Sequence, residues 1–155
     1  DGSVDCVNLC GVMTNITDKN PFKAQQARED LGMEINRVLV KGGLCTISDF
    51  HNKHLLSHYP INYEHHLKIT GELGTIAVFD PAAKITFIDK SDEEIKSLAN
   101  SEHLQRLAHH YSPEELINIF NESGMKTLNY HIEIGKTPSG TPIDSIVMTI
   151  EKPNA

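Results

Sequence analysis

The 155-residue sequence has no apolar run approaching the ~20 residues that a membrane-spanning helix needs. It also has no positively charged leader backed by an apolar stretch. That pattern speaks against a membrane span and a secretory signal, and a cytoplasmic protein is the expectation. Positive charge is scarce: 14 Lys and Arg stand against 21 Asp and Glu, for a net charge of -7. There is no basic footprint for a phosphate backbone, so nucleic acid is not the expected ligand. Cysteine is limited to Cys6, Cys10 and Cys45, with no Cys-x-x-Cys pair. Cys6 and Cys10 share one strand-like run, where ~3.3 Å per residue puts them about 13 Å apart, too far for a disulfide. All three lie in apolar segments, and buried thiols in a reducing compartment are the expectation. Phosphate loops, a Gly-x-Ser-x-Gly nucleophile elbow, internal repeats and low-complexity segments are all lacking. The sequence does not open on methionine, so it does not start like a complete protein.

What is present is an ordinary globular composition, 39% hydrophobic and 23% charged, enough for one domain with a real core. Asp1-Gly2-Ser3 is turn chemistry leading into the run Val4 to Met13, continuous enough to predict a strand covered on both faces. Asn20-Pro21 opens a helix as N-cap and first helical residue. Ala24, Ala27, Leu31, Ile35, Val38 and Leu39 recur at helical spacing along it. Gly42-Gly43 is expected to end the helix before a short strand, Leu44 to Phe50. Strand, helix, turn and strand make a parallel βαβ crossover. Near the other end, Ser112-Pro113-Glu114-Glu115 predicts a capped helix that Gly124 stops. Two antiparallel strands follow, Thr127 to Ile134 and Ile143 to Glu151, around a loop rich in Gly and Pro. Between the halves lies an insertion, His51 to Tyr111. It reads as a His-rich segment, β-like runs Thr75 to Phe79 and Ile85 to Ile88, and a capping box Ser91 to Glu94. The helix opened there is expected to resume through Leu104, Leu107 and Ala108 after an interruption at Asn100-Ser101.

In order and spacing these parts resemble the second half of the class I S-adenosylmethionine (SAM)-dependent methyltransferases. Asp1 to Val7 is similar to the entry into that family's fourth strand, and Gly11-Val12-Met13 with Ile16-Thr17-Asp18 to the loop after it. Ile35 to Leu44 resembles the helix and turn before the fifth strand, with Val40-Lys41 where Lys-Pro is usual. Tyr111 to Met125 resembles the last helix. The resemblance touches about two thirds of the chain and skips the insertion. It implies an α/β fold, a partial Rossmann-like methyltransferase sheet in the order 4-5-7-6, with an antiparallel last hairpin and an inserted cap. Residues 1–50 would be the βαβ part of the core, 51–111 the acceptor-binding cap, and 112–155 the final helix and hairpin. The family's glycine-rich loop and ribose-holding acid have no counterpart in these residues, which reads as the C-terminal half of such an enzyme. In the family order 3-2-1-4-5-7-6, the strand at 4–13 would then be an apolar edge, paired with a missing half or forming an oligomer.

Ligands of open α/β sheets sit beyond the carboxyl ends of the strands. The resemblance implies SAM as cofactor, with Cys10, Gly11 and Val12 beside its methionine part; Gly11 can equally serve only the turn. Asn15, Asp49 and His51 would face a small-molecule methyl acceptor, with His54 and His58 nearby. Methyl transfer is an in-line displacement that needs alignment first, and a base only if the nucleophile carries a proton. His51 can supply that base, or it can simply open a helix. His51, His54 and His58 fall at i, i+3 and i+7, and His65-His66 follows, so a Zn²⁺ or Fe²⁺ site is conceivable. No cysteine or clear carboxylate joins that spacing, and polar histidines around an acceptor are the reading without metal. His109-His110 belongs to the cover over the sheet or reaches the acceptor. Ile76, Val78, Phe79, Ile85, Phe87 and Ile88 either line the cap or form its own core. A rival reading is a non-catalytic α/β partner subunit or an interaction module with no cofactor.

Overall fold

The computed structural model describes residues 1–55 and 63–154. Its main sheet has four strands in the order β1-β2-β6-β5, where β1 is Val4–Cys10, β2 Leu39–Phe50, β5 Lys126–Glu133 and β6 Ser145–Glu151. β1 and β2 run parallel, β6 is antiparallel to β2, and β5 is antiparallel to β6. This is the expected 4-5-7-6 arrangement with its antiparallel hairpin.

Helix α1 (Pro21–Val38) starts as the sequence dictates, with the Asn20 side chain accepting hydrogen bonds from the Phe22 and Lys23 amides. Its stripe of Ala24, Gly32 and Ile35 is buried, and Arg28 lies in that stripe as well. Gly32 is needed for contact, because a Cβ there would stand 2.3 Å from Ser123 Oγ at the end of helix α4 (Pro113–Glu122). Helices α1 and α4 cover one face of the sheet, with Leu39, Ile47, Phe120, Ile146, Met148 and Ile150 fully buried between.

The helix end differs from expectation. α1 stops at Val38 because Leu39 turns extended and drops into the core, so Gly42-Gly43 lies inside β2 rather than at a helix end. There the pair spans an irregularity in register between Val4↔Leu39 and Cys6↔Leu44. The strand at β1 also differs, being covered on one face only. Cys6, Asn8 and Cys10 point to the side without helices, and both thiols are exposed. Only Cys45 is the buried thiol expected of all three; burial, with Cys6 nearby, pushes it up to about 12.

The insertion builds a second, two-stranded antiparallel sheet from β3 (Thr75–Phe79) and β4 (Leu104–His109). Helix α2 (Tyr63–Thr70) packs on β3, and the short helix α3 (Asp92–Ser97) opens with the full Ser91–Glu94 capping box. Ile85 to Ile88 forms no strand, and the segment from Leu104 is a strand rather than a resumed helix. Pairing with β3 decides it, a long-range contact that a helical reading of Leu104, Leu107 and Ala108 cannot register. Ile76 and Phe87 are buried in the insertion's own apolar clusters, with Val78, Phe79 and Ile85 packed against them, while Ile88 is exposed. Ile88 apart, those residues pack into a core of the insertion's own. Among the described residues, no helix is long and apolar enough to cross a membrane.

Candidate functional site

Two structures meet at the carboxyl ends of β1 and β2: the loop after β1, and a cavity beside β2. The loop is Gly11 to Asn15, ending in a 3-10 turn at Met13–Asn15. Gly11 adopts φ +67 with nothing within 4 Å of where a Cβ would stand, so conformation rather than crowding asks for glycine there. The loop is held from both sides. Asp49, buried at the end of β2, accepts from the Thr14 amide at 2.9 Å and from the Phe50 amide at 2.8 Å. Burial raises the Asp49 carboxyl above its ordinary value, and those amides pull the other way. Tyr111 Oη donates to the Met13 carbonyl at 2.6 Å. Asn15 accepts from Arg106 of β4 at 3.2 Å, which ties the insertion over the loop.

Beneath this contact runs a buried ion network. Arg28, only 1% exposed, grips Glu72 with two bonds of 2.9 and 2.7 Å and donates through Nε to the Ile16 carbonyl at 2.9 Å. Burial alone would lift the Glu72 carboxyl, but the bonds from Arg28 and Thr75 outweigh it and hold Glu72 below the carboxylate range. Thr75 Oγ1 sits 2.6 Å from Glu72 and 2.7 Å from His109 Nδ1, and His109 Nε2 meets Glu115 at 2.8 and 3.0 Å. Ser112 caps α4 as expected by accepting from the Glu115 amide, while the Glu115 carboxylate turns to His109 instead of back to the Ser112 amide. The network joins α1, β3, β4 and α4 around the Tyr111 ring, 5.8 Å from the Arg28 guanidinium carbon.

The cavity, about 200 Å³, is lined by His51, His54, His110, Thr137, Ser139, Thr141, Pro142 and Ile143. The β5–β6 loop supplies the three hydroxyls, chained at 2.9 Å (Thr137–Ser139) and 3.3 Å (Ser139–Thr141). His51 Nδ1 accepts from the Lys53 amide at 3.0 Å, which places the proton of the neutral ring on Nε2. Burial lowers the basicity of His51, with nearby Asp144 opposing. His54 Nε2 lies 3.2 Å from Oδ2 of Asp144, a side chain 3% exposed whose Oδ1 is buried with no hydrogen-bond partner among the described residues. His110 stacks at a tilt 5.3 Å from Phe50, and burial, with His109 and Arg106 adding to it, takes it down to about 4.

Of the residues singled out from sequence, the structure groups His51 and His54 at the cavity and Cys10, Gly11 and Val12 as an exposed strip at the end of β1. It separates the others. Asp49 spends its carboxylate on backbone amides instead of facing an acceptor, and Asn15 is engaged by Arg106. His58 lies outside the described residues. Among the described residues no group of three or more His, Cys, Asp or Glu could hold a metal ion. Sequence reasoning missed Asp144 and the hydroxyls of the hairpin loop, which carry no local motif. It also missed Arg28, whose signal was an arginine inside an otherwise apolar helical stripe.

The strand order, the parallel β1–β2 crossover and the antiparallel β5–β6 hairpin define the second half of the class I SAM-dependent methyltransferase fold. No protein-family model matches the chain, and no curated protein does. A SAM-dependent methyltransferase from Methanosarcina mazei superposes at TM-score 0.75 and 21% identity, covering 100% of this chain and 62% of that one. The 1,6-didemethyltoxoflavin-N1-methyltransferase of Burkholderia thailandensis, solved with 1,6-didemethyltoxoflavin and S-adenosylhomocysteine, aligns at TM-score 0.51 and 14% identity. That match covers 98% of this chain and 45% of the other. The [4+2]-cyclase SpnF aligns at TM-score 0.50 and 11% identity, covering 100% and 53%. This chain therefore spans between 45% and 62% of these proteins. The likeness is one of fold, and a cyclase among the neighbours illustrates that this fold does not set the reaction.

Proposed function

We propose that the protein is a SAM-dependent methyltransferase, of which this chain is the C-terminal portion, acting on a small organic acceptor bound in the His51–His54–His110 cavity. The observation that carries the reading is this cavity and the open Gly11 strip at neighbouring strand ends of a methyltransferase-type sheet. The strip at Cys10, Gly11 and Val12 fits one end of the cofactor, because its centre, Gly11, is exposed and has no Cβ to block a close approach to the backbone. SAM, when bound, supplies a sulfonium-activated methyl carbon. The residues of this chain align the acceptor: the Thr137, Ser139 and Thr141 hydroxyls bond its polar groups and Ile143 packs its apolar part. His51 is suited to donate through Nε2, since its Nδ1 is taken by the Lys53 amide. Base work falls better to His54, whose ring is oriented by the buried Asp144 carboxylate.

Calorimetric titration of the purified protein with S-adenosylhomocysteine tests the reading. Single-site binding that weakens in Gly11→Val supports it. Absence of heat, with this chain and with any longer form carrying its upstream residues, overturns it.

A further inference from the structure

We infer that the outer edge of β5 pairs antiparallel with the same strand of a second copy, joining two four-stranded sheets across a twofold axis at Tyr130. β5 ends the sheet, and among the described residues it pairs with β6 alone. Its side chains are largely in solvent, including Leu128 and Tyr130 at 44% and Ile132 at 36% exposure. An exposed strand with three large apolar side chains is a template for another strand.

The charge pattern selects the partner. β5 begins with Lys126 and ends with Glu133, so antiparallel self-pairing sets each lysine against the glutamate of the other copy, twice per dimer. Parallel pairing would set like against like. Faces must also agree, because a twofold axis perpendicular to the sheet keeps each residue on its own face. Residues seven apart in a regular strand lie on opposite faces. Here a bulge between Thr127 and Asn129 takes up one residue, Leu128, and restores the match. Lys126 stands opposite Glu151 and Glu133 opposite Ser145, both on the helix-free face. Thr127 and Ile132 stand opposite Ile150 and Ile146, both on the helix-covered face. With Tyr130 on the axis, Asn129 meets His131, Ile132 meets Thr127 and Glu133 meets Lys126. The bulge, often a device against edge pairing, here sets the register that this one partner satisfies.

Sedimentation velocity over a range of concentrations gives the test, using charge reversal at the two ends of the strand. The unaltered protein is expected to dimerise. Lys126→Glu alone and Glu133→Lys alone each place two like-charged pairs in the interface and should weaken dimerisation by roughly tenfold or more. The double variant K126E/E133K restores opposite charges and should recover the dimer. Mixing the two single variants should yield a heterodimer, because both of its pairs are again opposite. Tyr130→Cys should form an intermolecular disulfide under mild oxidation, since directly opposed residues have Cα atoms ~4.5–5.5 Å apart. A monomer at all concentrations overturns the proposal. So does a dimer indifferent to both charge reversals, which would place association elsewhere, for instance at the β1 edge.

Discussion

Replacing Arg28 by Met tests whether the insertion is locked to the core by the buried ion network. Methionine keeps the length of the apolar stem and removes three bonds: two to Glu72 and one to the Ile16 carbonyl. Glu72 would keep Thr75 and the more distant His109, but lose its only guanidinium. Breaking one partner out of a buried pair costs about 3–5 kcal/mol, because the remaining charge is stranded away from water. For a chain of this size ~1 kcal/mol moves Tm by roughly 2–4 °C, so Tm should fall by roughly 6–20 °C. The assay is thermal and urea unfolding followed by circular dichroism at neutral pH. The double variant R28M/E72Q removes the stranded charge and should recover at least about 1 kcal/mol relative to R28M, a coupling of the size expected within one network. A loss below about 1 kcal/mol in R28M, or a double variant no better than the single, would falsify the claim that the charge pair locks this junction. In R28M the Glu72 carboxyl should also titrate at higher pH, as the guanidinium that holds it down is gone.

Acid stability gives a second test. Burial takes His66 and His110 down to about 4, whereas an unfolded histidine titrates near 6.5. The stability tied to their neutral state is fully present above about 6.5 and is lost as pH falls towards 4, by up to roughly 3 kcal/mol each. The urea midpoint should therefore decline from pH 7 to pH 4.5, and less steeply in His110→Gln; an unchanged slope refutes the assignment. At Gly11 the cost is conformational alone, so Gly11→Asn should lose less stability than Gly11→Ala, which should lose about 1 kcal/mol. Equal losses in a matched urea series would count against that account.

The path from sequence to fold was most legible where the signal is local. Asn20-Pro21 and Ser91 to Glu94 carry their helix starts in the side chains next to the unsatisfied amides, and the structure shows both caps. The β5–β6 hairpin was visible from two apolar runs around a Gly- and Pro-rich loop. Leu104 to His109 was misread because its apolar residues suit either period, and only the partner strand β3 decides between them. The candidate site was half legible. His51 and His54 stood out by composition and do line the cavity, but Asp144 sits 90 residues beyond His54 in sequence, and no spacing rule connects them.

Sequence alone determined the helix starts, the order of the elements flanking the insertion and the net negative charge, because each depends on near neighbours or on composition. Tertiary structure decided which polar groups are buried together. Arg28 of α1, Glu72 of the turn before β3, His109 of β4 and Glu115 of α4 become a network only when the insertion packs against α1 and α4. It also turned Asp49 from a prospective ligand contact into a clamp on the loop after β1, since a buried carboxylate takes the nearest unpaired amides.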